Sequence, residues 1–322
     1  MIRAWASDAD LRFRAATGGV LSALGIHLLE TGQASFILHC KASEVAPLET
    51  HWTLSETPQD VRGAAGSRYG PSDTLAGLEV ALSRCQPFAI IAKPCDAGAA
   101  RQRAKSDPRV EKYVVAVLVM VCGGASDLNK SNGVLNEFAV AESELSLIRY
   151  RGHGNPGPTL TGTHDGRAFE KSYLDMWPDE GAWRIQNRCK VCPDAIGEAA
   201  DIAAAAIWPG GAPSGEDEGF NGVIIRSARG QKLFSAAFAQ NALSQDQTLS
   251  PRDFDGFQPH QVRKKRRVAA RLRGLARAEH PVFHHTSLRI DELDDRNTDE
   301  EQGAFDRACA GRFKEQIPEG EK

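Results

Sequence analysis

Apolar residues recur in two rhythms along the first part of the chain. Over residues 16–31 (ATGGVLSALGIHLLET), Val20, Leu21, Leu24, Leu28 and Leu29 fall on one stripe of a 3.6-residue period. This predicts an amphipathic helix ending near Gly32. The continuous apolar run 34–40 (ASFILHC) then predicts a buried strand. A second unit follows: an amphipathic helix over 74–84, a strand over 87–92 (PFAIIA), and a helix again over 98–105. Residues 113–122 form another apolar, β-branched strand. Helices alternating with strands that are apolar throughout predict an α/β fold, with mostly parallel or mixed sheets covered by helices on both faces.

Past residue 150 the pattern changes. RGHGNPGPTLTGTHDG is rich in Gly, Pro and Thr and predicts loops with short hairpin strands. A second loop, WPGGAPSGEDEGFNG, precedes a strand over 223–226. Residues 262–278 (VRKKRRVAARLRGLARA) predict a strongly basic helix, and an acidic segment follows over 291–301. Eight Arg or Lys residues between positions 263 and 277 could hold phosphates. No aromatic residue is interleaved with them, so a solvated helix paired with the acidic segment is the better reading. Ala269, Leu272 and Leu275 would supply its packing stripe. No nucleic-acid partner is expected.

Composition narrows the class further. The 322 residues carry 39 basic and 42 acidic side chains, a net charge of −3, with 41% hydrophobic and 25% charged residues. That is ordinary for a soluble globular protein of about two domains. The N-terminus has no apolar signal-like core, and the longest apolar runs, such as 114–122, are far short of the roughly 18 residues of a membrane span. A cytoplasmic protein is expected, in which seven cysteines are metal ligands, catalytic groups or core residues rather than disulfides.

The cysteines carry the chemistry. RCKVCPD sets Cys189 and Cys192 two residues apart and follows them with proline. Two thiolates can then reach one metal centre from a single turn, whether iron–sulfur, zinc or, less well, a dithiol pair. Cys95 (AKPCDAG) and Cys122 (VMVCGG) each directly follow a predicted strand. In an α/β sheet, ligands gather at the carboxyl ends of the strands, so these four residues are candidates for one metal centre. Zinc sites usually pair two short knuckles; here only one pair is local, which favours a redox cluster. Cys40 also ends a predicted strand and is the rival ligand. Cys85 and Cys309 sit on helical stretches and are expected to be buried small apolar groups.

The run Thr17-Gly18-Gly19 opens the first helix and offers backbone N–H groups to an anion. It equally suits an ordinary cap with tight packing, and it matches neither the dinucleotide nor the P-loop pattern.

Taken in order, RAATGGVLSALGIHLLETG, GSRYGP, AKPCDAGAAR, VCGG, RCKVCPD and DEGFNGVIIRSARG resemble the beta-subunit family of coenzyme F420 hydrogenases and dehydrogenases. That family also includes chlorophyll-pathway reductases. The resemblance spans about residues 12–265. It implies FAD beside one 4Fe–4S cluster, with Thr17, Gly18, Gly19 and Ser22 at the cofactor. Ser67, Arg68 and Tyr69 match a family segment there, as do Lys93 with Pro94 and Cys95, and Cys189 and Cys192 with Asp194. Asn155 is a further cofactor candidate. On this resemblance the organisation is a glycine-motif region of the flavin-binding fold (1–75), a main flavin and iron–sulfur domain (76–260) and a helical C-terminal tail (261–322).

Two departures stand out. No cysteine precedes Cys40, so one cluster is expected rather than several. The family's D-I-S-x-G-D run reads DIAAAAIW, with Ala206 in place of the second acid.

The resulting expectation is a flavin- and iron–sulfur-dependent oxidoreductase. It would pass electrons between ferredoxin, or another redox subunit, and a small organic substrate, and a homo-oligomer is compatible with it. Lys93 and His153 are candidates for charge stabilisation and proton donation, each set against a solvated surface role. The alternative is a zinc-stabilised non-catalytic subunit or scaffold of a redox complex.

Overall fold

Residues that must bury both faces of a strand dominate the centre of the chain, and in the computed structural model they form the centre of a sheet. The structure describes residues 1–177, 184–208, 213, 218–285, 287–298, 300–304, 307 and 311. Cys309 and most of the glycine- and acid-rich loop before Phe220 lie outside the described residues.

Among the described residues there are eleven strands: β1 (Ile2–Ala6), β2 (Phe36–Ala42), β3 (Thr50–Ser55), β4 (Phe88–Ala92), β5 (Val114–Met120), β6 (Leu145–Arg149), β7 (Thr159–Thr163), β8 (Ala168–Lys171), β9 (Ile202–Ile207), β10 (Phe220–Ile225) and β11 (Leu243–Thr248). Eight of them form one sheet in the order β11-β1-β10-β9-β5-β4-β2-β3. The centre, β2, β4, β5 and β9, is parallel, while β3 on one side and β10, β1 and β11 on the other pair antiparallel. The sheet is therefore mixed, and its parallel character is confined to the middle. β6, β7 and β8 make a separate antiparallel sheet from the Gly/Pro/Thr-rich stretch.

Alternation along the central strands sends side chains into two cores. Phe36, Leu38, Phe88, Ile90, Val117 and Val119 meet Leu82, Ala97, Ala100 and Phe254 on one face. Ile37, Ala89, Ala116 and Leu118 meet Val20, Leu24, Leu28, Leu233 and Phe234 on the other. Phe36 and Phe88 are register partners and stack at 5.1 Å.

Several elements depart from the pattern-based expectation. A short helix, Ala9–Arg14, comes first, and the helix expected over 16–31 starts only at Val20, because Gly19 caps it in a left-handed conformation with φ of 75°. The helix expected over 74–84 is a 3-10 turn, Thr74–Gly77, followed by an α-helix, Leu78–Ser83. β9 (IAAAAI) has little intrinsic strand preference and is made a strand by pairing with β5 and β10. The basic run is two helices, Pro259–Arg266 and Val268–Arg277, broken at Arg267. Among the described residues, no helix is long and apolar enough to cross a membrane.

His39 introduces a pH dependence into this frame. It is 7% exposed on β2, with Nε2 2.6 Å from Ser55 Oγ on β3. Burial pushes its pKa down to about 4. The unfolded chain takes up a proton near pH 6.5, so the neutral folded form has its full advantage above that pH and loses it as pH falls toward 4. The shift is on the order of 3 kcal/mol. Urea titrations at pH 7 and pH 4.5 are expected to differ by a few kcal/mol, and His39→Gln is expected to flatten much of that difference.

Candidate metal centre and cofactor junction

The carboxyl ends of β4 and β5 lie side by side, and the chain turns outward from both into one cavity of about 130 Å³. After β4, Pro94 starts the helix Pro94–Ala104 and places Cys95 in its first turn. After β5, the Cys122 N–H donates to the Ala195 carbonyl at 2.9 Å, which ties this strand end to the loop that follows Cys192. The pair Cys189 and Cys192 sits on a tight turn in which Cys192 N–H donates to the Cys189 carbonyl at 3.3 Å. The Ala125 N–H in turn donates to Cys189 Sγ at 3.4 Å. Cys95, Cys122, Cys189 and Cys192 thus line one cavity, together with Ser72, Lys93, Asp96, Arg188, Asp194 and Lys264.

Electrostatics here follow burial. Burial pushes the Cys95 thiol up to about 11. It also raises Cys122 and Cys192, against which the Lys264 cation pulls down. Buried thiols of this kind ionise on binding a metal, which releases their protons. Four sulfurs, an N–H aimed at one of them and a lining of cations fit a soft, multiply charged metal group. Among the described residues, no three His, Cys, Asp or Glu side chains converge closely enough to hold a single ion.

The other cysteines stand apart. Cys40 lies on β2, where burial raises its thiol, and it does not line the cavity. Cys85 is exposed, not buried as expected, because it follows the helix Leu78–Ser83 on a left-handed turn with φ of 52°. Cys40→Ser is expected to keep the full complement of any bound metal, as metal analysis of the purified protein would show.

Lys93 is not a solvated lysine. Its Nζ donates to the Ser72 carbonyl and lies 3.0 Å from Asp96 Oδ2. His153 is exposed on a left-handed loop residue beside Phe13 and is not among the cavity-lining residues. Partial burial, with Arg149 and Arg14 nearby, lowers its pKa.

Thr17, Gly18, Tyr69 and Asn155 meet at a second junction. Asn221 on β10 holds the glycine motif: its Nδ2 donates to Thr17 Oγ1 at 2.8 Å and its Oδ1 accepts from the Val20 N–H at 3.2 Å. A Cβ on Gly18 would lie 2.8 Å from Asn221 Oδ1 and 3.0 Å from the Ala4 carbonyl. The close approach that Gly18 permits is thus made by the protein itself. Arg151 Nη2 donates to the Ala16 carbonyl at 2.7 Å, and Asn155 Nδ2 to the Glu218 carbonyl at 3.4 Å. Arg151 Nε and Asn155 Oδ1 are buried without a hydrogen-bond partner among the described residues. Tyr69 reaches Arg151 through its hydroxyl at 3.4 Å and packs on Trp177, with ring centroids 4.3 Å apart. Arg151 also lies over the rings of Tyr173 and Trp208.

Ser22 is half-buried in the helix Val20–Glu30 and Ser67 half-buried in the segment that leads to Tyr69. Arg68 turns its donors onto Thr50 and the carbonyls of Leu48, Glu49 and Ile148, fastening that segment to β3 and β6. Pattern alone does not single out Arg151, Asn221 or Lys264. Arg151 and Asn221 lie inside RGHGNPG and DEGFNG, where the glycines draw attention first, and Lys264 belongs to a run that reads as solvated charge.

An α/β fold with a cysteine-lined cavity at its strand ends is the class that this geometry defines. The family model described as coenzyme F420 hydrogenase/dehydrogenase, beta subunit N-term matches residues 1–79, and the corresponding C-terminus model matches residues 85–248. The chain belongs to this family of oxidoreductase subunits. An uncharacterized protein of Methanocaldococcus jannaschii is 24% identical over 79% of this chain and 67% of its own length. A subunit of the F(420)H(2) dehydrogenase of Methanosarcina mazei is 23% identical over 71% of this chain and 61% of its own length. A chain of the F420-reducing [NiFe] hydrogenase complex of Methanosarcina barkeri shares the fold, with a TM-score of 0.65 at 18% identity over 88% of this chain and 94% of that one.

Proposed function

We propose that the chain is a flavin- and iron–sulfur-dependent oxidoreductase subunit. It passes electrons between an iron–sulfur partner and an organic substrate by way of FAD. The observation that carries this reading is the single cavity shared by Cys95, Cys122, Cys189 and Cys192. These four residues would hold one 4Fe–4S cluster, and Thr17, Gly18, Gly19, Ser22, Tyr69 and Asn155, joined by Arg151, would hold the flavin. When bound, the cluster exchanges single electrons and the flavin exchanges a pair with the substrate.

The protein's own residues supply position and charge. At the meeting point of the glycine motif and the 151–157 loop, Arg151 offers a buried cation whose Nε, like Asn155 Oδ1, has no partner among the described residues. The Ser67–Ser72 segment touches both places, Tyr69 at the junction and Ser72 at the cavity. The relative named as a dehydrogenase subunit and the neighbour from a hydrogenase complex support a partner that is itself a redox subunit.

Anaerobic purification followed by visible spectroscopy and metal and flavin analysis tests the reading. Flavin bands, a broad shoulder near 400 nm and about four irons per chain are expected. A colourless protein with one zinc and no flavin would establish the scaffold alternative instead.

A further inference from the structure

The two basic helices lie beyond residue 248, where the family match ends, yet they reach the cysteine cavity. Part of the run pairs with the acids that follow it, as its charge pattern predicts: Arg273 Nη1 lies 2.6 Å from Asp294 Oδ2. The rest turns inward onto the loop that carries Cys189 and Cys192. Lys265 Nζ donates to the Pro193 carbonyl at 2.6 Å and pairs with Glu198. Arg271 donates to the Lys190 carbonyl, and Val191 is buried against Val268, Leu272 and Leu275. Lys264 lines the cavity itself, with Nζ 3.4 Å from the Gly123 carbonyl.

The cations around the cavity are not equivalent. Lys93 is neutralised by Asp96 and Lys265 by Glu198. Arg188 is exposed, so solvent and salt screen its charge. Lys264 is half-buried and has no carboxylate within ion-pair distance among the described residues.

We propose that Lys264 is a positioning residue that raises the reduction potential of the cluster held by the four cysteines. The inference rests on the proposed function. A cubane with four thiolates is anionic and gains one further negative charge when it takes an electron. A fixed, half-buried ammonium stabilises the reduced form more than the oxidised form. One electron enters the cluster, no bond is broken, and Lys264 keeps its proton in both states. The helices Pro259–Arg266 and Val268–Arg277 serve to hold this charge in place.

The test is a redox titration of the anaerobically reconstituted full chain with dithionite, followed by low-temperature electron paramagnetic resonance. Iron content is measured in parallel. Lys264→Met is expected to move the midpoint to a more negative value with iron retained, and Lys264→Arg to recover most of the difference. Arg263→Met, an exposed charge removed from the same helix, is expected to stay near wild type. If Lys264→Met binds less iron, Lys264→Gln carries the same comparison, since it keeps a donor for Gly123 without the charge. A midpoint unchanged by loss of the charge in an iron-loaded variant would overturn the inference and leave the cluster reading intact. A wild-type chain that takes up no iron and gives no signal would overturn that reading, and this inference with it.

Discussion

Cys189→Ser is expected to lose most of the iron and the shoulder near 400 nm. Cys189 sits on the turn that supplies two of the four cavity sulfurs, and its Sγ accepts the Ala125 N–H. A serine hydroxyl is close in size, but it is a harder and far less acidic ligand than a thiolate. The loss therefore comes from ligand chemistry rather than from packing. The apo-protein should unfold within about 1 kcal/mol of wild-type apo-protein, since a half-buried S-to-O change removes little apolar surface. The iron-loaded forms should differ much more, because a group that binds only the folded chain adds its binding free energy to stability. Iron analysis and paired denaturation curves with and without reconstitution separate the two effects. Full iron in Cys189→Ser would remove this residue from the ligand set.

Asp201→Ala is expected to have the largest effect on the fold itself, on the order of 3–5 kcal/mol. Asp201 is 1% exposed at the start of β9. Its carboxylate accepts from the Val117 N–H at 2.8 Å, the Ser227 hydroxyl at 2.6 Å and Arg101 at 3.1 Å, with Arg229 3.3 Å away. It therefore joins β5, β9 and the helices Pro94–Ala104 and Ala228–Ala239. Alanine would leave two guanidinium groups and a strand N–H without their acceptor. Burial opposes ionisation of this carboxyl, but the Ser227 and Val117 donors and the Arg229 and Arg101 charges outweigh it and hold the pKa below its ordinary value. A depressed carboxyl stabilises the fold above its unfolded pKa of about 3.9 and loses that contribution as pH falls through the folded value. Asp201→Asn, which keeps an acceptor without the charge, should fall between wild type and alanine. A urea midpoint for Asp201→Ala within about 1 kcal/mol of wild type would show that the network is not needed.

The same aspartate marks where a motif misleads. In DIAAAAIW the substitution at Ala206 draws attention, since family members carry an acid there. The structure places Ala206 on β9, opposite Asn221 of β10, with its carbonyl accepting from Gln258. The retained acid, Asp201, is the one that ties the sheet to its helices. Nothing in the local pattern separates these two roles, because they depend on which elements lie against each end of β9.

By itself, the sequence determined three of the four central strands, β2, β4 and β5, and helical segments between them. β2, β4 and β5 are short apolar runs rich in β-branched or aromatic residues, which favours strands buried on both faces over helix. It also determined that Cys95 and Cys122 follow strand ends and that Cys189 and Cys192 share a turn, since local spacing sets both. Only the tertiary structure decided that β9, four alanines between isoleucines, is a strand, because its pairing comes from β5 and β10 rather than from its own side chains. It also decided that Asn221 clamps Thr17 and Val20 across about 200 residues, and that Lys264 of the basic run turns toward the cysteines while Arg273 pairs with Asp294. A charge on a helix has the same sequence signature whether it meets water or a buried site. Its neighbours across space make the difference, and residue spacing does not record them.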